Sequence, residues 1–232
     1  MSAMSSDVDR ARRAIEALES AYRAVFAKVR PGVTADQIDA ILRESLASFG
    51  VELLSERTKI TPFIVDAAGE GPKLRLNRRP LEVGRLWGMD NCIARDGFWA
   101  DLGRYGWFGP LPAKVAENYR QIIRRQRQVA EAIRPGVRLG EIFEAIGPGL
   151  PFEVHRIAEE PNMLPFMGDM MPNVRDGMEH CDREGIRFES GQVICVELWA
   201  GLLGGIEDTY SVTDRGTERL STLPQELFVL PS

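Results

Sequence analysis

Two stretches of this chain, VRPGVTADQIDAI and IRPGVRLGEIFEAI, repeat one pattern at a displacement of 104 positions, counted from Pro31 to Pro135. Each ends one helix at a Pro-Gly pair and starts another. Before the first breaker, Ala11, Ile15, Leu18, Tyr22, Val25 and Val29 follow helical spacing over Val8–Val29. Before the second, the pattern predicts a helix over Ala113–Ile133. Thr34 with Gln37 offers a capping pair for a helix over Ala35–Phe49, and a short helix is expected near Leu139–Ile146. One repeat of this length is too few copies for a solenoid. It predicts a duplicated unit instead: a single domain over 1–232, with related halves of about 1–112 and 113–232.

The strands carry the same duplication. Arg85–Ile93 and Phe98–Phe108 read as a hairpin around Ala94-Arg95-Asp96-Gly97. Gln192–Ala200 and Gly205–Val212 read as a second, with GLLGG between them. Further strands are expected at Ile60–Val65 and Leu227–Leu230, and a Pro-, Met- and Gly-rich segment runs from Ile146 to about Gly185. Each hairpin brings two acids, Asp90 with Asp101 and Glu197 with Glu207. Their displacements, 107 from Asp90 to Glu197 and 106 from Asp101 to Glu207, nearly match that of the helices.

Side chains alternate faces along a strand, and opposed residues of an antiparallel pair share a face. Centring the first turn on Arg95 and Asp96 sets Asp90 opposite Asp101. Centring the second on Leu202 sets Glu197 opposite Glu207. Like charges across a ladder repel, so two such pairs ask for a cation. A solvated acidic face is the alternative for either hairpin alone. The neighbours Val193, Cys195, Trp199, Trp99 and Trp107 make a poor wet surface, which favours the cation. Four carboxylates suit a divalent ion, and one imidazole would favour a transition metal.

These residues resemble a known family. Asp90 and Asp101, eleven positions apart, match the first two metal ligands of the pita-bread metallohydrolases, the group of methionine aminopeptidase, prolidase, aminopeptidase P and creatinase. GQVICVELWAG is similar to the family's GMVFTIEPG strand, and GGIEDTYSVTDRGTERLST to its closing RIEDTVLVTEDGPELLT signature. RPLEVG and the RPGV loops are also family-like, and EVHRIAEEPNMLPF resembles HGIGxxxHEEP in shortened form. The resemblance covers nearly the whole chain. It implies an α/β (α+β) pita-bread fold, two pseudo-symmetric halves with a curved antiparallel sheet covered by helices. It also implies one or two divalent transition metals (Mn, Fe, Co or Zn) bridged by Asp101 and Glu207, with Asp90, Glu197 and His155 completing the shells. A dinuclear centre of this kind uses activated water, with Glu197 as proton shuttle and His155 and Arg104 as further catalytic residues.

The chain also departs from the family. The peptidases have a histidine ahead of the RPL segment, where Lys73 and Leu74 stand, and another before EEP, where Ala158 stands. After the second Asp the family reads x-Thr-Arg-Thr, while this chain has Leu102-Gly103-Arg104-Tyr105. Oxyanion donors of the usual kind are therefore missing. The favoured function is metal-dependent hydrolysis of a small amide-like C–N bond rather than ordinary aminopeptidase activity. Lys73, Arg75 or Arg104 would suit an anionic small-molecule substrate. A lyase or other specialised, possibly iron-dependent metalloenzyme is the second reading, and a binding module without catalysis the third.

Other features bound the partners. A net charge of −5 argues against nucleic acid, and the run Arg120, Arg124, Arg125 and Arg127 reads as a solvated helix face. No membrane-spanning run is present, the opening MSAMSSDVDRARR has no apolar leader core, and three cysteines suggest a cytoplasmic, reducing setting. A homodimer is compatible with the resemblance. Cys92 and Cys195 share the face of their neighbouring acids, as small core hydrophobes or as thiolate ligands. The methionines between Met163 and Met178 line a pocket or pack a loop, and His180 reads as surface.

Overall fold

Helix α1, Ala3–Lys28, buries Ala11, Ile15, Leu18, Tyr22 and Val25 along one stripe, the three-and-four spacing of an amphipathic helix. Arg30-Pro31-Gly32 stops it, and Gly32 turns the chain at φ 91, a conformation that costs glycine little. Helix α2, Ala35–Ala47, then begins with the Thr34 N–H donating to Gln37 Oε1 at 2.9 Å, one half of a capping box. The computed structural model describes residues 3–51, 61–64, 80–147, 149, 152–157, 187–200 and 204–232.

The duplication is repeated in backbone hydrogen bonds. Between helices α3, Ala113–Ala132, and α4, Leu139–Ile146, Gly136 turns at φ 84 and the Arg138 N–H donates to Glu141 Oε2 at 2.9 Å. In the first half, the Gly32 N–H donates to Leu81 O at 2.8 Å, and the Leu81 N–H returns to Val33 O at 2.8 Å. In the second, Gly136 N–H donates to Phe188 O at 2.9 Å and Phe188 N–H to Val137 O at 3.0 Å. Each breaker loop is thus stitched to the segment that leads into its hairpin.

The hairpins are β2, Leu86–Arg95, with β3, Phe98–Phe108, and β5, Val193–Trp199, with β6, Gly205–Thr213. They join edge to edge through β3 and β6, where Gly103 pairs with Glu207. Short strands β1, Thr61–Ile64, and β4, Phe152–Ile157, extend the sheet to the order β1-β2-β3-β6-β5-β4. Strand β7, Gly216–Arg219, pairs with β6, and β8, Phe228–Leu230, runs parallel to β3. One face of the sheet is covered by helices. Ile15, Leu18, Tyr22 and Leu42 pack with Met89, Ile93 and Leu102, while Ile122 and Val129 pack with Ile194, Val196 and Leu198. Each such side chain contributes roughly 1.5–3 kcal/mol on full burial.

One expectation needs correcting. The first turn is centred on Asp96 and Gly97, with φ 53 and 71, and not on Arg95 and Asp96. A tight two-residue hairpin with both central residues at positive φ selects Asp-Gly, and arginine does not fit that geometry. The register therefore slides by two. Asp90 pairs with Gly103 and Asp101 with Cys92, so the two aspartates stand diagonally on one face rather than directly opposed. In the second hairpin Glu197 does pair with Glu207. Strand β4 was not expected, because its six residues are embedded in a Pro- and Met-rich stretch. The four-residue β7 was too short to stand out.

Candidate metal centre

A single register row crosses the sheet on the face away from the helices. It runs Glu153, Glu197, Glu207, Gly103 and Asp90 through consecutive strand pairs. Two residues along, His155 pairs with Cys195, Cys195 with Thr209, and Cys92 with Asp101. The Thr209 hydroxyl closes that second row by donating to Asp101 O at 2.8 Å. Where the rows meet, carboxylate oxygens of Asp90, Asp101 and Glu207 lie within 4.8 Å of one another.

Glycine at 103 makes this approach possible. A Cβ there would stand 3.0 Å from Glu207 Cβ and 3.3 Å from its backbone nitrogen, tighter than neighbouring chains accept without shifting. Glu207 itself is only 3% exposed. Burial pushes its carboxyl well above the usual range, and repulsion from Asp101, Glu197 and Asp90 pushes it further. Cys195 Sγ, 2.9 Å from Glu207 Oε1, offsets part of this by donating a hydrogen bond.

The nearby guanidinium does not neutralise the cluster. Arg104 follows Gly103, so strand alternation turns it to the helix face, where it is wholly buried. It donates to Asp208 Oδ1 at 2.5 Å, Glu207 O at 2.6 Å and Pro224 O at 3.1 Å. Gln225 donates to Asp208 Oδ2 at 2.9 Å on the same side. The Arg104–Asp208 pair clamps the β3–β6 junction from beneath and fixes the backbone of Glu207. Of the residues expected from sequence, Asp90, Asp101 and Glu207 converge, Glu197 sits beside Glu207 in the ladder, and Arg104 is directed elsewhere.

His155 is placed by its backbone opposite Cys195, two residues along β4 from the Glu153–Glu197 pair; its side chain lies outside the described residues. Lys73, Arg75, Ala158, His180, Cys181 and the methionines from Met163 to Met178 also lie outside them. Sequence reasoning missed Gly103, Thr209 and Asp208. The signal for the last two was the Asp-Thr directly after Glu207. Three carboxylates gathered on a partly dry surface fit a divalent ion: hard oxygen donors supply the charge it needs.

An open sheet backed by helices, with acids from two equivalent hairpins meeting at its centre, is the pita-bread architecture. The family model "Metallopeptidase family M24" matches residues 9–214, and the chain belongs to that family. Among curated relatives, "Probable dipeptidase PepE" of Mycobacterium tuberculosis is 25% identical over 248 aligned positions, covering 97% of this chain and 60% of the relative. "Putative dipeptidase YkvY" of Bacillus subtilis is 23% identical, covering 88% and 56%. The chain therefore spans about three fifths of the length of these relatives. An X-Pro aminopeptidase from Thermotoga maritima shares the fold at TM-score 0.71 and 20% identity, over 97% of this chain and 63% of that one. The prolidase of Pyrococcus horikoshii does so at TM-score 0.72 and 20% identity, over 96% and 63%.

Proposed function

We propose that this protein is a metal-dependent hydrolase of a small amide-like C–N bond, working as a single domain of two related halves. The observation that carries the reading is the approach of Asp90, Asp101 and Glu207 within 4.8 Å, with Glu207 buried. Asp90, Asp101, Glu197, Glu207 and His155 would hold one or two divalent ions drawn from Mn, Fe, Co or Zn. When bound, such an ion lowers the pKa of water and polarises a carbonyl.

The chain's own residues then divide the work. Asp101 and Glu207, on the strands that meet at the junction, would be the acids shared if two ions bind. Glu197, beside Glu207 in the ladder, takes the proton from the attacking water and returns it to the leaving nitrogen. Arg104, held by Asp208 on the far face, keeps the Glu207 backbone in register and acts as a positioning residue. Sulfur and indole neighbours keep the site partly dry, which strengthens each charge interaction.

The substrate is proposed to be a small molecule, smaller or more acidic than a polypeptide. Relatives bear dipeptidase names, which supports hydrolysis of short substrates. Only two histidines occur in the chain, His155 and His180, so the family's further histidine donors have no counterparts at Lys73, Leu74 or Ala158. One such donor contributes roughly 3–4 kcal/mol to lowering an acyl-transfer barrier. The same scarcity favours a second reading, a lyase or specialised iron enzyme on this scaffold. Cys92 and Cys195, buried as thiols, suit a cytoplasmic setting, and a homodimer is the assembly proposed. The test is calorimetric titration of chelator-treated protein with Mn, Co and Zn. Saturable binding abolished by joint Asp101→Ala and Glu207→Ala supports the reading; unchanged binding in that variant overturns it.

A further inference from the structure

The two long helices that back the sheet each send a polar side chain against it, at equivalent places in the two halves. Tyr22 on α1 and Gln126 on α3 stand 104 positions apart, the displacement of the RPGV repeat itself. Both are fully buried, in helix stripes that are otherwise mostly apolar. The Tyr22 hydroxyl donates to Leu102 O at 2.6 Å. The Gln126 amide donates to Val196 O at 3.0 Å and to Asp208 Oδ2 at 3.4 Å, and accepts from Gln225 at 2.7 Å. A helix that only covered the sheet would be served as well by leucine at each place. A hydroxyl or amide in a core must first recover its lost hydration.

What these side chains grip is the strand backbone that carries the acids. Leu102 lies between Asp101 and Gly103, and Gly103 is the residue that meets Glu207 across the junction. Val196 precedes Glu197, Asp208 follows Glu207, and the two pair in the ladder beside the Glu197–Glu207 pair. Side chains alternate faces along a strand. A hold on positions 102, 196 and 208 from the helix side therefore orients 101, 197 and 207 on the other. Tyr22 serves the first half's acid at the junction, and Gln126 serves both acids of the second. Burial, and then the charges of Asp90, Asp101 and Glu207, keep the Tyr22 phenol well above its usual value, so it stays a donor.

We infer that Tyr22 and Gln126 are a matched pair of positioning residues that set the spacing of Asp101, Glu197 and Glu207 for the metal ion. The inference rests on the metal reading proposed above and extends it to two residues on the opposite face of the sheet. Neither touches the ion; each acts through the strand that it holds. Carboxylates that repel one another separate unless the backbone beneath them is fixed. Losing one such outer support weakens metal binding by about 10–100-fold.

The test takes the full chain, stripped with chelator and reloaded with Co²⁺, as wild type, Tyr22→Phe and Gln126→Met. The first substitution keeps the ring's edge contact with Phe26, and the second keeps most of the side-chain volume. Each therefore removes hydrogen bonds rather than packing. Ile15→Val and Val129→Ala, in the cores under the same helices, are controls that lose stability through packing alone. Calorimetry should show Co²⁺ binding about tenfold or more weaker in Tyr22→Phe and in Gln126→Met. The visible cobalt absorption bands should shift in both, while the controls keep wild-type affinity and bands. Wild-type affinity and bands in either hydrogen-bond variant overturn the inference and leave the metal reading standing. So does equal weakening in the controls, which would make the loss one of general stability. A wild-type chain that binds no Co²⁺ overturns the metal reading and this inference with it. Where one variant fails to fold, the other decides.

Discussion

Glu207→Gln should make the metal-free protein more stable. At 4.8 Å, each like-charged pair among Asp90, Asp101 and Glu207 repels by about 0.9 kcal/mol at the dielectric of water and about 3.5 kcal/mol at an effective value near 20. Glu207 is buried and its carboxyl is held well above the usual range by burial first and then by Asp101, Glu197 and Asp90. The sign follows from linkage. A raised folded-state pKa means that the native protein binds this proton more tightly than the unfolded chain. Stability therefore falls as pH climbs above the unfolded glutamate value of about 4.3. Glutamine removes that dependence and keeps an oxygen for the Cys195 thiol. Urea denaturation in chelator should show the variant's advantage smallest near pH 4.5 and growing to about 1–3.5 kcal/mol at pH 8. Adding metal at 100 times its dissociation constant stabilises the wild type by about 2.7 kcal/mol and the variant by much less, which cancels most or all of that advantage. A variant less stable than wild type at pH 8 in chelator would refute this reasoning.

Three further perturbations probe the scaffold. Gly103→Ala forces a Cβ within 3.0 Å of Glu207 Cβ and should cost about 1–3 kcal/mol in urea denaturation, with weakened metal binding by calorimetry. Arg104→Met removes the nearer of the two arginines on buried Asp208, leaving Arg219 at 3.7 Å, and should destabilise by about 3 kcal/mol; adding Asp208→Leu should recover part of the loss. Burial acts to raise the pKa of Glu19, but hydrogen bonds from Thr222, Leu223 and Ser221 outweigh it and leave the carboxyl low. Its stabilisation is present above the unfolded value and lost as pH falls through the folded one. Glu19→Gln should therefore cost about 1–3 kcal/mol at pH 7 and progressively less in acid.

Long-range order was legible wherever it left a periodic trace. The RPGV repeat announced two halves because each breaker loop binds the segment before its hairpin, at Leu81 and Phe188. The acids were legible because carboxylates within apolar strands are rare. Register was not, since a two-residue error at Asp96-Gly97 leaves every side chain on its correct face and so breaks no hydrophobic pattern. The face itself was therefore right while the pairing was wrong. Arg104 was misjudged for a different reason. Its motif position beside Asp101 suggested the site, but odd–even alternation sends it beneath the sheet to Asp208. Gly103 carried no visible signal, because the contact that requires it comes from Glu207 on a strand 104 positions away.

The central claim is tested most directly by giving metal-reconstituted protein a panel of Xaa-Pro dipeptides, Met-peptides and small carboxylated amides, with products read by mass. The account predicts metal-dependent hydrolysis, each product pair gaining one water, of a small carboxylated amide in preference to the peptides, abolished by Glu197→Gln. Efficient release of N-terminal Met or cleavage before proline would contradict the substrate preference. Products formed without gain of water would contradict hydrolysis itself.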